Sequence, residues 1–434
     1  MMKMKYLIYI ASLPDDDLGK HQYPLGAGYI AAWIEERFSH VEVVVTANEE
    51  DIYTYKPDLL GISSVTQCYN SAQRITRKVK EILKIPVIIG GYHVSALPQG
   101  MGKEFDVGVV GEGELPMEAL MEVFLQHGSF PVSELKKIQG VCYRDERFGI
   151  VSTTPPPMID MDSLPYPKRN ISRGARNIYV FSSRGCAYKC QFCASTRHWG
   201  KLRTRSAEYF VDELKQLIEK YDATSIYLLD DLFFANQKRV REIVDLMKKE
   251  DLLGKLSFHA FITSNLATDE TFSLAKEMNF KSIRFGAETG SDKLLKIMKG
   301  SWASVKSHQQ CIDLSHKYGF DVSAAFMLGA PGETVEDLDL TIDFLEKNKG
   351  RVNINGLYLT MPIPGTPYWN IAIEKGLVSE DMDWDKLNLD FGKTASFDFD
   401  KVIYLNADNV PLSVVREYYE KIRDTYMGHR TTTC

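Results

Sequence analysis

The chain has 434 residues and a formal net charge of −6, with 44% hydrophobic and 25% charged residues. That balance excludes wholesale disorder, and the mild acidity excludes a protein held on nucleic acid by bulk charge, leaving only a local basic patch open. Seven cysteines are too few for a disulfide scaffold.

The length fits two or three domains of about 150 residues. The apolar run from Tyr6 to Ala11, ahead of Asp15-Asp16-Asp17, is too short for a signal peptide and reads as a buried first strand. No stretch approaches the roughly 18 apolar residues of a spanning helix, so the expected compartment is the cytoplasm, where thiols stay reduced.

In chain order, apolar runs at 6–10, 41–45, 59–63, 87–89 and 107–110 alternate with helical patterns at 25–38, 71–83 and 115–125. Ile30, Trp33, Ile34 and Phe38 recur at three- and four-residue spacing and mark the core face of the first helix. This α/β alternation predicts a Rossmann-like, doubly wound parallel sheet over 1–150, with ligands at the carboxyl ends of its strands. A two-stranded insertion is expected at 140–143 and 150–153. Thr154-Pro155-Pro156-Pro157, Pro165 and Pro167 then mark a linker over 151–175. Further strands are expected at 178–181, 225–229, 257–261, 282–285, 323–326 and 355–359, with helical patterns such as 207–221, 238–249 and 333–348 between them. Six β/α units over 176–375 predict a partial (β/α)6 barrel of TIM type. The remainder, 376–434, reads as a small α+β extension for substrate recognition, with a hairpin at 395–405 and a helix at 412–426.

Ser183-Arg184-Gly185-Cys186-Ala187-Tyr188-Lys189-Cys190-Gln191-Phe192-Cys193 carries the spacing C-x3-C-x2-C, directly after the first strand of the second domain. Loops after barrel strands are where active sites lie. Thiolates are the usual ligands of iron–sulfur clusters, and a 4Fe-4S cube on three cysteines leaves one iron open. A structural zinc site with His198 as fourth ligand competes with this reading, but no second pair of ligands follows. Cys68, Cys142, Cys311 and Cys434 stand alone and read as buried spectators. The spacing by itself establishes a three-thiolate site.

The triplet, with Phe192 just before its third cysteine, resembles the signature of the radical S-adenosylmethionine (SAM) superfamily. The resemblance implies that Cys186, Cys190 and Cys193 hold a 4Fe-4S cluster and that its open iron chelates SAM. It implies further that one electron, from an external flavodoxin or ferredoxin-type reductant, yields a 5′-deoxyadenosyl radical that takes hydrogen from substrate. Other strand ends are similar to the family's SAM contacts. Asp230 and Asp231 end the second strand, where an ammonium needs an anionic acceptor; either acid alone also suits a helix cap. Ser264 follows the third strand, for the SAM carboxylate, and Gly286-Ala287-Glu288 ends the fourth, with Glu288 for the ribose. Leu328-Gly329-Ala330-Pro331-Gly332-Glu333-Thr334 ends the fifth, with Leu328 and Pro331 beside the adenosine. Thr360 precedes Met361-Pro362-Ile363-Pro364-Gly365-Thr366-Pro367 after the sixth, and Phe192 joins the same set of contacts. Glu333 reads as a helix N-terminal charge.

The first domain resembles the cobalamin-binding domain of the cobalamin-dependent (class B) subgroup. The matching residues are Pro24, Leu25 and Gly26; Ser63, Ser64, Val65 and Thr66; Gly90, Gly91 and His93; and Gly111, Glu112 and Gly113. Glycines there let a large planar ligand approach the backbone, and helix starts supply donors for phosphate and amide groups. No histidine falls in the D-x-H-x-x-G pattern of mutase-type cobalamin proteins, and the subgroup often lacks it. A Rossmann-like domain without the cofactor is the alternative, and His93 also suits a plain turn.

The resemblance implies a methyltransferase that uses cluster, SAM and cobalamin on an unactivated carbon or phosphorus. In that arrangement the corrin would face the mouth of the partial barrel. A cobalamin-dependent cyclase, rearrangement or oxidation enzyme is the first alternative and a non-catalytic cobalamin or cluster sensor the second. Methylthiotransferases need three further N-terminal cysteines, where only Cys68 and Cys142 exist, and only Cys311 and Cys434 remain for auxiliary clusters. The substrate is expected to be a small molecule or peptide, with nucleic acid disfavoured. Tyr358, Trp369, Trp384, Phe391, Phe397, Tyr404, Tyr418 and Tyr419 are candidates for its recognition or for a satellite core. Arg184, Arg197 and Arg205 are candidates for an anionic edge, Arg205 reading more simply as surface charge.

Overall fold

The structure is a computed structural model and describes residues 3–11, 24–175, 177–387, 399 and 402–427. It divides into two units: Met1–Ile171 with Ser379–Asn388, and Ser172–Val378 with Leu389–Cys434.

The first unit is built on β1 (Met4–Ile10), β2 (Val41–Thr46), β3 (Leu59–Ser63), β4 (Val87–Gly90), β5 (Val107–Val109), β6 (Val141–Asp145) and β7 (Gly149–Ser152). The sheet order is β2-β1-β3-β4-β5-β6-β7, parallel through β5 and antiparallel at β6 and β7. Consecutive buried residues in β1 and β3 fit strands with helices on both faces. Helix Leu25–Arg37 lays Ala27, Ala31, Trp33 and Ile34 into the core. The expected insertion at 140–153 is a continuation of the sheet, with Gly108 of β5 paired to Cys142 of β6. Helix Glu49–Tyr55 is an addition to the expected elements. It buries only Ile52, and Asn48 caps it by accepting from the Glu50 amide.

The second unit holds β8 (Ile178–Val180), the short pair β9 (Ser183–Arg184) and β10 (Arg203–Thr204), and β11 (Ser225–Leu228), β12 (Ser257–Phe261), β13 (Phe280–Glu288), β14 (Asp321–Leu328) and β15 (Asn353–Leu359). Six of these form one sheet in the order β15-β14-β13-β12-β11-β8, parallel throughout. The partial barrel is therefore an open one. Through the middle of β13 and along β14, buried and half-buried positions alternate. Phe285 of β13 meets His308 of helix Val305–Tyr318, ring centroids 5.6 Å apart. Phe326 of β14 meets Phe344 of helix Val335–Lys347 at 6.2 Å. Those residues mark the helix-covered face. Tyr227, His259, Ser282, Arg284, Ser323 and Met327 alternate with it and form the inner face. Helix Leu412–Tyr426 forms as expected. The hairpin at 395–405 lies largely outside the described residues, as do Phe391 and Phe397, and no strand forms over the described 402–405. Among the described residues, no helix is long and apolar enough to cross a membrane.

Candidate active site

The cysteine loop follows β9 and is fixed at both ends by its own sequence. Gly185 has φ +90, and a Cβ there would stand 2.8 Å from the Lys201 carbonyl oxygen, so only glycine lets the loop turn. The Thr196 hydroxyl donates to the Tyr188 carbonyl at 2.5 Å, and Arg197 donates to the carbonyls of Cys190 (3.2 Å) and Cys193 (2.7 Å). Tyr188 stacks on Trp302 at 3.9 Å and accepts from the Asn265 amide at 2.6 Å. The Gln191 amide donates to the Met298 carbonyl at 2.8 Å, and Phe192 packs with Met327 on Leu294, Met298 and Ala330.

All three thiols are half-buried. Burial pushes them up, to about 11 at Cys186 and about 12 at Cys190, with Cys193 raised for the same cause. Without iron they are neutral thiols; bound iron would hold them as thiolates. Among the described residues no three His, Cys, Asp or Glu side chains converge on a single metal ion. A four-iron cube takes its thiolates from a wider triangle than a single zinc ion does.

The strand ends around this loop separate the expected SAM contacts into three kinds. Asp230 is consumed by the fold: it is 1% exposed, and its two oxygens accept from the Ser182 amide (2.6 Å) and hydroxyl (2.5 Å), tying β11 to β8. It is not the open acceptor expected of it. Asp231 is exposed and accepts from the Ser195 hydroxyl, which leaves it the acid available at this strand end. Ser264 is likewise committed. Its hydroxyl lies 2.8 Å from His308 Nδ1 and 2.9 Å from the Ser307 hydroxyl. His308 Nε2 faces the Ala287 carbonyl at 3.1 Å, so it must be the protonated nitrogen and Nδ1 the acceptor. Burial holds this ring neutral, its pKa pushed down to about 3. His308 thus clamps the ends of β12 and β13 together. Only its burial on a helix could have signalled it in the sequence.

Glu288 sits at a β-bulge with φ +63, a conformation that side chains adopt at a cost. It is held by Lys299, with Nζ to Oε1 at 2.9 Å and both side chains under a tenth exposed. Lys299 also donates to the Gly286 carbonyl at 2.5 Å, and its charge favours the thiolate forms of Cys186 and Cys190. Leu328 is buried and its carbonyl accepts the Thr360 amide at 2.8 Å; Pro331 is half-buried in the following turn. Glu333 is no helix-end charge. It is buried, its Oε2 accepts from the Gly329 amide at 2.5 Å, and burial pushes its carboxyl up to about 8. Thr334 and Asp337 cap that helix instead. Among the described residues the buried Thr360 hydroxyl, the Tyr368 hydroxyl and Glu333 Oε1 have no protein partner, so they are polar atoms placed for a ligand or water.

In the first unit the expected residues form a shallower surface. Val65 is 43% exposed at the end of β3, and among the described residues the buried Thr66 hydroxyl beside it has no protein partner. Among the described residues a Cβ at Gly26 or Gly111 would meet nothing within 4 Å, and Pro24 leaves the first turn of its helix without a side-chain cap. Gly91, at φ +96, packs its backbone on Ser64, where a Cβ would stand 2.6 Å from the Ser64 carbonyl oxygen. The Ser95 hydroxyl donates to the Gly91 carbonyl (2.8 Å) and accepts from the Gly111 amide (2.9 Å), joining the two loops. Gly113 clears the Ile30 side chain, which a Cβ would meet at 2.7 Å. Ser63, Gly90 and Glu112 are half-buried at the same strand ends. Leu25 and Ser64 are buried and serve packing. These donors, open glycines and the exposed apolar Val65 fit a large planar ligand with amide side chains.

His93 does not belong to that surface. It is 1% exposed, stacks on Tyr69 at 3.8 Å and meets the edge of Trp384 at 4.6 Å. Trp384 is likewise a core residue of the first unit and no part of a recognition cage. The arginines expected near the cluster are also placed structurally. Arg184 and Arg205 are buried, Arg205 lying 3.8 Å over the Tyr209 ring, and Arg197 holds the cysteine loop.

Residues 180–345 match the model of the radical SAM superfamily, and residues 16–121 match the B12 binding domain. An uncharacterized methyltransferase of Pyrococcus horikoshii is 30% identical, with 84% of this chain and 81% of that protein covered. The anaerobic magnesium-protoporphyrin IX monomethyl ester cyclase of Rubrivivax gelatinosus is 25% identical, covering 73% of this chain and 60% of that protein. Among solved structures, the radical S-adenosylmethionine methyltransferase TsrM of Kitasatospora setae, with tryptophan substrate and a SAM analogue bound, aligns with a TM-score of 0.73 at 17% identity. That alignment covers 97% of this chain and 89% of that one. It speaks to the fold.

Proposed function

The chain belongs to the cobalamin-dependent radical SAM enzymes, and we propose that it works there as a methyltransferase on a carbon or phosphorus centre too inert for ordinary SAM chemistry. The observation that carries this is the pairing, in one chain, of a three-thiol loop at the strand ends of the second unit with a B12-binding match over the first. When bound, the cluster and SAM supply a carbon radical that removes hydrogen, and cobalamin supplies a transferable methyl group.

The chain's own residues bind and orient. Cys186, Cys190 and Cys193 hold the cluster. Asp231 takes the SAM ammonium, Glu288 on Lys299 the ribose, and the hydroxyls of Thr360 and Tyr368 the remaining polar edge. Val65, Thr66, Gly26, Gly91 and Gly111 receive the corrin. The divisions 1–150, 151–175, 176–375 and 376–434 are proposed as cobalamin domain, linker, SAM domain and substrate extension. The electron donor is an external flavodoxin or ferredoxin-type protein, the substrate a small molecule, and the compartment the cytoplasm.

Anaerobic reconstitution with iron, sulfide and cobalamin, followed by SAM and reductant, tests the reading. S-adenosylhomocysteine and 5′-deoxyadenosine should appear in step with a methylated product. The cyclase of Rubrivivax gelatinosus favours a second reading, ring formation without methylation. Deoxyadenosine with substrate consumed and no methyl transferred would select it.

A further inference from the structure

We infer that the substrate carries an anionic group, a carboxylate or a phosphate, and that Arg284 receives it on the inner face of the second sheet, with an apolar body lying on Phe261. The name "substrate" rests on the function proposed above; the binding site itself does not.

Arg284 stands in the middle of β13, on the face away from the helices, with its guanidinium 5.5 Å from the Tyr227 ring centroid. Among the described residues it makes no ion pair and no side-chain hydrogen bond. The other cation near this end of the sheet, Lys299, has its acid in Glu288. Asp321, the acid on the same face of β14, is in register with Ser282 rather than with Arg284 and does not pair with it. His259 beside it is no second cation: burial and the Arg284 charge both push its pKa down, and its Nδ1 meets the Ser282 hydroxyl at 2.7 Å. A half-buried guanidinium without an acid is uncommon in a finished fold, and its planar fork matches carboxylate and phosphate oxygens in pairs.

The adjacent strand supplies the other half of the site. Phe261, the last residue of β12, is in register with Arg284 and is 44% exposed, while Phe258 and Ala260 of the same strand are buried. On the far side, β14 presents the small side chains of Ser323 and Ala325 at this level, in register with Arg284 and Gly286, and the Glu288 carboxylate lies over Gly286 above them. Higher on the same face, Met327 packs with Phe192 of the cysteine loop. The face therefore runs from Arg284 up to the loop, and Arg284 lies about 13 Å of strand below Glu288. An acid held there lays its body across onto Phe261, at the same level of the sheet.

The reconstituted holoprotein should be titrated by calorimetry with three probes of one shape: biphenyl-4-carboxylate, its primary amide and biphenyl-4-yl phosphate. The carboxylate or the phosphate should bind at least about tenfold tighter than the amide, and whichever is preferred identifies the substrate's group. Arg284→Gln should erase that preference, Arg284→Lys should keep part of it, and Phe261→Ala should weaken all three probes alike. Equal binding of acid and amide, or no binding of any probe, overturns the proposal. So does a loss of SAM affinity in Arg284→Gln that matches the loss of the acid, because the arginine would then serve SAM's own carboxylate. None of these readouts needs methyl transfer, so a failed methylation assay and a failed Arg284 site remain separate results.

Discussion

The strand ends of the two sheets are prepared for ligands in opposite ways. In the second unit the loops are tied by charged and polar side chains: Asp230 to Ser182, Glu288 to Lys299, His308 between Ser264 and Ala287. In the first unit the same positions are held by backbone and glycine, with Gly91 against Ser64 and open space at Gly26 and Gly111. The first arrangement suits a small, highly charged ligand whose ammonium and carboxylate must be fixed in direction. The second suits a broad ligand recognised by shape and by many weak amide contacts. The parallel strands of the two sheets thus reach different chemistries through the side chains allowed at their ends.

The largest expected effect comes from removing the thiols. Cys190→Ser should abolish iron–sulfur absorbance and deoxyadenosine formation while corrin uptake persists. Corrin lost together with iron would break the contrast between two separately organised sites. Next in size is Lys299→Met, which leaves Glu288 as a buried carboxylate without its cation and should cost about 3–5 kcal/mol in urea unfolding. Adding Glu288→Gln to it should restore much of that. In the first unit Gly91→Ala should cost about 1–3 kcal/mol and reduce corrin uptake with iron content unchanged.

The last effect is a slope in pH, slight near neutrality and growing to about 3 kcal/mol per ring by pH 4. His93 and His308 are both held neutral by burial, with pKa near 3, and titrate near 6.5 when unfolded. Between those values the unfolded chain binds protons that the fold refuses. Stability is complete above about pH 6.5 and falls as the solution is acidified, by up to about 1.4 kcal/mol per pH unit for each ring. Urea midpoints of His93→Phe and His308→Gln, followed from pH 7 to pH 4, should each lack one such contribution, one from each unit.

What the sequence made legible was local. The cysteine spacing, the alternation of strands and helices and the helix at 412–426 all rest on periods of a few residues. What it hid depended on pairing at a distance. The segment at 140–153 reads as an insertion because nothing near it announces that Cys142 will pair with Gly108. Asp230 and Asp231 are indistinguishable as neighbours until the fold gives one of them to Ser182. Arg284 drew no notice because an arginine in a strand looks like solvent-facing charge, and only the register with Phe261 places it on an inner face. His308 falls on the buried stripe of its helix with Cys311, Ile312 and Ser315, where a core histidine is the plainer reading, and Lys299, at the end of helix Asp292–Met298, looks like an ordinary helix-end charge.

The segment Ser379–Asn388 belongs to the first unit although it follows the whole of the second sheet in the chain. Trp384 closes over Tyr69 and His93, and the Asn70 side chain donates to Asp383 at 2.7 Å. Domains generally fold as they leave the ribosome, the N-terminal one first. Here the first domain emerges with two aromatic rings uncovered and stays so until synthesis is nearly complete. A chain stalled or cut after residue 378 would carry that sticky patch permanently. The first domain is therefore completed only after the whole of the second sheet has been made.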